Sequence, residues 1–220
     1  MRITLPTGTP AELIGPAEVD ASTRGLVVFP DIMGLRPLFD DMCARLAAEQ
    51  GWVVCAVEPF PGREHLGVEE RLGAMATLSD ARLRADALAA AEATGCTAVG
   101  AIGFCMGGML AFKASGVGRF DRVAGFYGMI RLPDAWRGPD LADAIDTLRL
   151  GDRCPTLAII GTADPYTPPA DVADAEAAGV EVVRYEGAEH GFVHDASRPA
   201  HRVADAADAW RRVIGFLAPV

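Results

Sequence analysis

One stretch limits the folds open to this chain more than any other: Gly103-Phe104-Cys105-Met106-Gly107-Gly108. Ahead of it, residues 97–102 are a short apolar run of small and β-branched residues, the pattern of a buried strand. Behind it, Met109 to Ser115 has the propensities of a helix. A tight strand-to-helix turn leaves no room for side chains two residues either side of its apex, which is where Gly103 and Gly107 stand. A cysteine at that apex sits at a helix N-terminus, where free N–H groups and the helix dipole lower a thiol pKa and stabilise nearby negative charge. The same residues also describe a buried cysteine in a glycine-rich turn. Taken alone, the stretch leaves both readings open.

Strands and helices alternate on either side of it. Residues 2–5 and 11–14 flank Pro6-Thr7-Gly8-Thr9-Pro10 and predict an antiparallel hairpin at a sheet edge. Strands are predicted over 25–29, 52–57, 123–127, 155–161 and 180–185. Helices are predicted over 38–50, 68–93 with a break near Ser79-Asp80, 141–148, 170–178 and 200–217. This order predicts one α/β domain spanning 1–220, with a mostly parallel central sheet and helices on both faces. Functional residues then belong at the carboxyl ends of the strands.

Composition excludes several classes. Half of the 220 residues are hydrophobic, which argues against disorder. No run approaches the roughly 18 apolar residues that cross a bilayer, and residues 1–8 lack the apolar core of a signal peptide. A cytoplasmic protein without a membrane partner is expected. The net charge of −10 argues against nucleic acid, which needs a basic surface. The five cysteines are odd in number and form no C-x-x-C pair, so reduced thiols are expected, with no disulfide framework and no metal site. Cys43 and Cys55 fall within a helix and a strand as small buried hydrophobes, and Cys96 and Cys154 fall at element edges. Only Cys105 has a reactive setting.

Two residues further along bear on the choice between the readings. Asp164 follows the strand at 155–161, and His190 follows the strand at 180–185. Singly, such an Asp is a turn former and such a His a surface residue. Together with Cys105 they give the order nucleophile, acid, histidine, each on a loop after its own strand, which is that of an α/β-hydrolase. His190 would take the thiol proton, or hold it as an imidazolium beside the thiolate, and later deliver it to the leaving group, while Asp164 fixes its tautomer. The backbone N–H groups of Met106 and of Ile32, on the loop after residues 25–29, are the expected oxyanion donors.

Gly103-Phe104-Cys105-Met106-Gly107-Gly108, Gly161-Thr162-Ala163-Asp164 and Gly187-Ala188-Glu189-His190-Gly191-Phe192 resemble the three catalytic blocks of the dienelactone hydrolase (carboxymethylenebutenolidase-like) family. Pro30-Asp31-Ile32-Met33-Gly34 resembles its oxyanion-loop block, and the similarity runs over nearly the whole chain. The resemblance implies a compact α/β-hydrolase fold, a Cys-His-Asp triad and no metal or organic cofactor. It also implies hydrolysis of a small lactone or activated ester through a thioester acyl-enzyme, in a monomer or small homo-oligomer. In the family an oxyanion-loop Glu helps to activate the resting thiol; the matching residue here is Asp31, one methylene shorter. Two family arginines hold a substrate carboxylate. One matches His194, the other falls nearest Arg71, and Arg36 is a possible replacement. Phe60, Tyr127, Trp136 and Phe192 are candidates to line a pocket for an apolar acyl or ring group, with core packing as the competing role. The alternatives to a hydrolase are a non-catalytic binding protein and a redox-responsive thiol protein on the same fold.

Overall fold

Apolar residues repeating with period two build the centre of the molecule. Along β3 (Gly25–Phe29), Val27 and Phe29 enter one hydrophobic cluster, and Leu26 and Val28 enter another on the opposite face of the sheet. The structure is a computed structural model and describes residues 1–218. The other strands are β1 (Arg2–Thr4), β2 (Pro10–Ile14), β4 (Val53–Val57), β5 (Val99–Phe104), β6 (Arg122–Phe126), β7 (Thr156–Gly161) and β8 (Glu181–Tyr185). They form one eight-stranded sheet in the order β1-β2-β4-β3-β5-β6-β7-β8. The six strands from β4 to β8 in that order pair in parallel, while β2 runs against both β1 and β4. The edge hairpin read from residues 2–14 is therefore present.

The helices are α1 (Pro37–Gln50), α2 (Val68–Ala74), α3 (Asp80–Ala93), α4 (Met106–Ala114), α5 (Ala144–Leu148), α6 (Pro169–Ala177) and α7 (Val203–Leu217). Helices α1 and α7 cover the face that carries Leu26 and Val28, and α3 to α6 cover the other. Helix α7 buries Ala206, Ala209, Val213 and Leu217, a stripe spaced by three and four residues. Helix α3 packs with alanines instead, Ala87, Ala90 and Ala91. The long helical stretch from Val68 breaks where expected: a 3₁₀ turn at Met75–Thr77 ends the first part, and Ser79 stands before α3. No helix among the described residues is long and apolar enough to cross a membrane.

Chain order reverses at β3. Helix α1 leads from it to β4 on one side, and the later strands build outward from β5 on the other. Loops leaving β3 and β5 therefore diverge, and a crevice opens at their carboxyl ends. Cys105 and the loop of residues 30–36 sit on either side of this crevice.

Candidate active site

Strand β5 ends at Phe104 and α4 begins at Met106, so Cys105 alone makes the turn. The strand lies two residues later than the apolar run at 97–102 predicts, and the helix starts at Met106, ahead of the predicted Met109. The true turn is tighter. Cys105 has φ 57° and ψ −122°, a conformation that costs an L-residue of order 1–3 kcal/mol. Its surroundings hold it there. A Cβ on Gly103 would lie 1.9 Å from the Gly107 carbonyl oxygen, and one on Gly107 would lie 2.0 Å from that of Phe29. The glycines thus let α4 press against the end of β3, with the Met106 N–H as the first of the helix's N–H groups that lack an intrahelical acceptor.

His190 Nδ1 lies 2.8 Å from Asp164 Oδ2. Asp164 is buried just beyond β7, and its second oxygen accepts the Tyr166 N–H at 2.8 Å. With Nδ1 engaged by Asp164, Nε2 is the ring nitrogen left for Cys105, which lines the same cavity. Burial works against a charged imidazole here. The hydrogen bonds and negative charge of Asp164 and Cys105 outweigh it and raise the His190 pKa to about 9. The sequence-predicted trio is brought together in one place. For the remaining cysteines burial acts in one direction: Cys43 and Cys55 are pushed up to about 12 and Cys154 to about 11, and Cys96 is raised as well.

Cys105 and His190 open into a cavity of about 380 Å³. Its apolar wall is Ile32, Met33, Val68, Leu72, Met129 and Trp136, with Tyr166 beside the histidine at a ring-centroid distance of 4.9 Å. Its polar side is Asp31, Arg36, Asp195 and Arg198. Of the expected lining residues, Ile32, Asp31, Arg36 and Trp136 are present. A smaller cleft of about 150 Å³, between α3, α4 and α5, contains none of the predicted site residues.

Several expectations need correction. Arg71 does not face the cavity. It is buried, paired with Glu58 at 2.9 Å, and its other donors go to the carbonyls of Leu66, Glu64 and Ile32. An acid at the end of β4 has drawn the guanidinium inward, beneath the loop that carries Ile32. His194 is buried too, between Tyr127 and Asp31, and burial holds its pKa below the ordinary range in spite of Asp31. A neutral, enclosed ring cannot clamp a carboxylate.

Asp31 makes no hydrogen bond to Cys105 among the described residues, so the arrangement does not support it as the group that activates the thiol. Its oxygens accept from both terminal nitrogens of Arg36 (2.6 and 2.8 Å), His194 (2.8 Å) and the Met33 N–H (3.0 Å). Burial alone would raise its pKa, but His194 and Arg36 hold it well below the usual carboxylate range. Phe60, Tyr127 and Phe192 are fully buried core residues outside the cavity wall: Phe60 packs under Arg71, and Phe192 under Tyr127 and Tyr185. Sequence reasoning missed Arg198, Asp195 and Tyr166. Arg198 and Asp195 sit on the loop that carries His190, and Tyr166 follows Asp164 by two residues.

A sharp elbow after the fifth strand, with an acid and a histidine beyond later strands of a mainly parallel sheet, defines the α/β-hydrolase class. Within it the chain belongs to the dienelactone hydrolase family, whose model matches residues 10–220. A Synechocystis sp. protein named "Putative carboxymethylenebutenolidase" is 30% identical over 208 residues, covering 86% of this chain and 82% of that protein. The crystal structure of a Klebsiella pneumoniae protein described as a "Putative Dienelactone Hydrolase" superposes with a TM-score of 0.85 at 23% identity, covering 100% of this chain and 98% of the other. A dienelactone hydrolase-like promiscuous phosphotriesterase from metagenomic libraries shares the fold, with a TM-score of 0.76 at 19% identity over 99% and 96% of the two chains. The chain is accordingly a hydrolase acting on esters or lactones.

Proposed function

We propose that the chain hydrolyses a small ester or lactone by covalent catalysis, with Cys105 as nucleophile, His190 as acid and base, and Asp164 as the group that orients His190. The observation that carries this reading is the position of His190, 2.8 Å from Asp164 and lining, with the elbow residue Cys105, one cavity of about 380 Å³. The raised pKa of His190 favours a protonated imidazole beside Cys105 before the reaction begins.

In the first half-reaction the Cys105 sulfur attacks the carbonyl carbon. The N–H groups of Ile32 and Met106 stabilise the oxyanion, without calling on their side chains. Collapse of the tetrahedral adduct breaks the carbon–oxygen bond, and the departing alkoxide takes the proton from His190 Nε2. In a lactone that alcohol stays attached to the acyl chain. The resulting thioester is then attacked by water, whose proton passes to the now neutral His190. The second collapse expels the Cys105 thiolate and releases the carboxylic acid, restoring the imidazolium–thiolate pair.

The cavity suits an acyl or ring group that is apolar on one side. Arg198 supplies a positive charge on the other: among the described residues its guanidinium is in no ion pair, whereas Arg36 is paired with Asp31. A substrate bearing a carboxylate directed at Arg198 is the form this wall favours. The test is steady-state hydrolysis of a p-nitrophenyl ester by Cys105→Ala and His190→Ala. Each is expected to lower kcat/KM by about a thousandfold or more with an unchanged circular dichroism spectrum. Wild-type turnover by Cys105→Ala contradicts the proposal.

A further inference from the structure

A chain of buried hydrogen bonds runs behind the triad and ties together three loops that follow three different strands. It begins at Tyr127, the residue after β6. Tyr127 has φ 41°, and it and Cys105 are the two non-glycine residues with positive φ among those described. A bulky aromatic in that region persists only where its surroundings hold it. The conformation sets its aim. The ring lies edge-on to His190, 5.1 Å between centroids, and the hydroxyl reaches His194 Nδ1 at 2.5 Å. His194 Nε2 in turn lies 2.8 Å from Asp31 Oδ2.

The direction of each bond follows from the ends. Asp31 is ionised and can only accept, so His194 Nε2 carries the proton. Nδ1 of the neutral ring is then an acceptor, and the Tyr127 hydroxyl donates to it. From Asp31 the chain continues to the Met33 N–H at 3.0 Å, so the last bond of the chain spans Ile32, whose N–H lies between the two residues it joins. Arg36 clamps the same carboxylate from the cavity side.

The surroundings make this costly as mere packing. The His194 ring lies 5.9 Å from that of Phe39 and 5.1 Å from that of Phe104, and Tyr127 lies 5.7 Å from Phe192. Apolar side chains of similar volume would fill such an aromatic layer without desolvating a carboxylate, an imidazole and a phenol. What an apolar filling lacks is a directional link between the β6 end, the histidine loop and the oxyanion loop.

We propose that Tyr127 and His194 are positioning residues for the hydrolysis, holding the Ile32 N–H in register with the Met106 N–H through Asp31. The proposal rests on the triad reading above. Neither side chain needs to touch the substrate. Their effect falls on stabilisation of the oxyanion and leaves the thiolate itself alone.

Two rates separate these effects. Ester hydrolysis needs the oxyanion donors, whereas alkylation of Cys105 by iodoacetamide needs only the thiolate. Tyr127→Phe, which removes one hydroxyl, is expected to lower kcat on a p-nitrophenyl ester about tenfold, and His194→Leu about a hundredfold, with KM and the alkylation rate within about twofold of wild type. His194→Gln keeps a donor toward Asp31 and should recover most of the kcat lost in His194→Leu. Unchanged kcat in folded Tyr127→Phe overturns the proposal, as does an alkylation rate that falls in step with kcat. Should His194→Leu fail to fold, the near-isosteric Tyr127→Phe still decides. If Cys105→Ala is inactive while Tyr127→Phe matches wild type, this inference alone fails. If Cys105→Ala turns over normally, the triad reading fails with it.

Discussion

The proposed catalytic corner and the rest of the cavity wall are built by different means. Cys105, Asp164 and His190 stand at or beyond the carboxyl ends of β5, β7 and β8, so sheet register and strand order bring their backbones together. Phe60, Phe192 and His194 follow the ends of β4 and β8, and Arg71 sits on α2, yet their side chains point inward. The difference is in what fixes a direction. A residue in a strained elbow has one way to point, whereas a long side chain on a loop or short helix turns toward its best partner. Glu58 took Arg71, and Asp31 took both His194 and Arg36. Buried acids have drawn the nearby cations out of the cavity wall or neutralised them there, and Arg198 is left facing the cavity.

The sharpest way to break this contrast is at Asp164. Asp164→Asn keeps the shape but supports the wrong imidazole tautomer, and should lower kcat by about a thousandfold or more, roughly 4 kcal/mol of barrier. It should also move the alkaline limb of the pH–rate profile. The wild-type rate is expected to fall as His190 loses its proton near pH 9, and without the Asp164 charge that fall should come at lower pH. The sign carries into stability as well. Because the folded His190 pKa lies above its ordinary 6.5, its contribution is complete below pH 6.5 and disappears as pH rises through about 9. Denaturation of wild type and Asp164→Asn at pH 6 and pH 9.5 should show a gap that narrows at the higher pH.

Arg71 tests the other region. If it clamped substrate, Arg71→Met would raise KM and leave stability alone. As the partner of a fully buried Glu58, its loss should instead cost about 3 kcal/mol or more in urea denaturation, because an unpaired carboxylate is left inside. Arg71→Met combined with Glu58→Gln should recover much of that loss. Arg198→Ala should do the opposite. KM for a carboxylate-bearing ester rises about tenfold, an uncharged ester of similar size is nearly unaffected, and the midpoint of urea unfolding is unchanged. Equal effects on both esters would remove the case for an anion at that end of the cavity.

These cases also show what a sequence of this kind discloses. The strands, the break before α3 and the grouping of Cys105, Asp164 and His190 could be read because each depends on local pattern: an apolar run, a turn residue, a glycine pair around a cysteine. The elbow itself was tighter than propensity suggested, since Cys105 alone joins strand to helix and Met106 already belongs to α4. Tyr127 was read as the last residue of a strand, but β6 ends at Phe126 and Tyr127 turns away with a positive φ. The binding wall was not legible for a different reason. The Asp31–His194 contact joins residues 163 apart, and Arg71 reaches Ile32 across 39. Nothing in either neighbourhood announces the distant partner. A charged residue after a strand, such as Glu58, was nonetheless a readable warning that a nearby arginine had an alternative to substrate.

The central claim is that Cys105 carries the acyl group. Wild type mixed with an activated ester, quenched in acid within the first turnovers and digested, should yield the Cys105 peptide heavier by the acyl mass. Hydroxylamine should release that mass, and the label should be absent from Cys105→Ala. Steady turnover with the Cys105 peptide unmodified, or with the acyl group on another residue, would contradict the account.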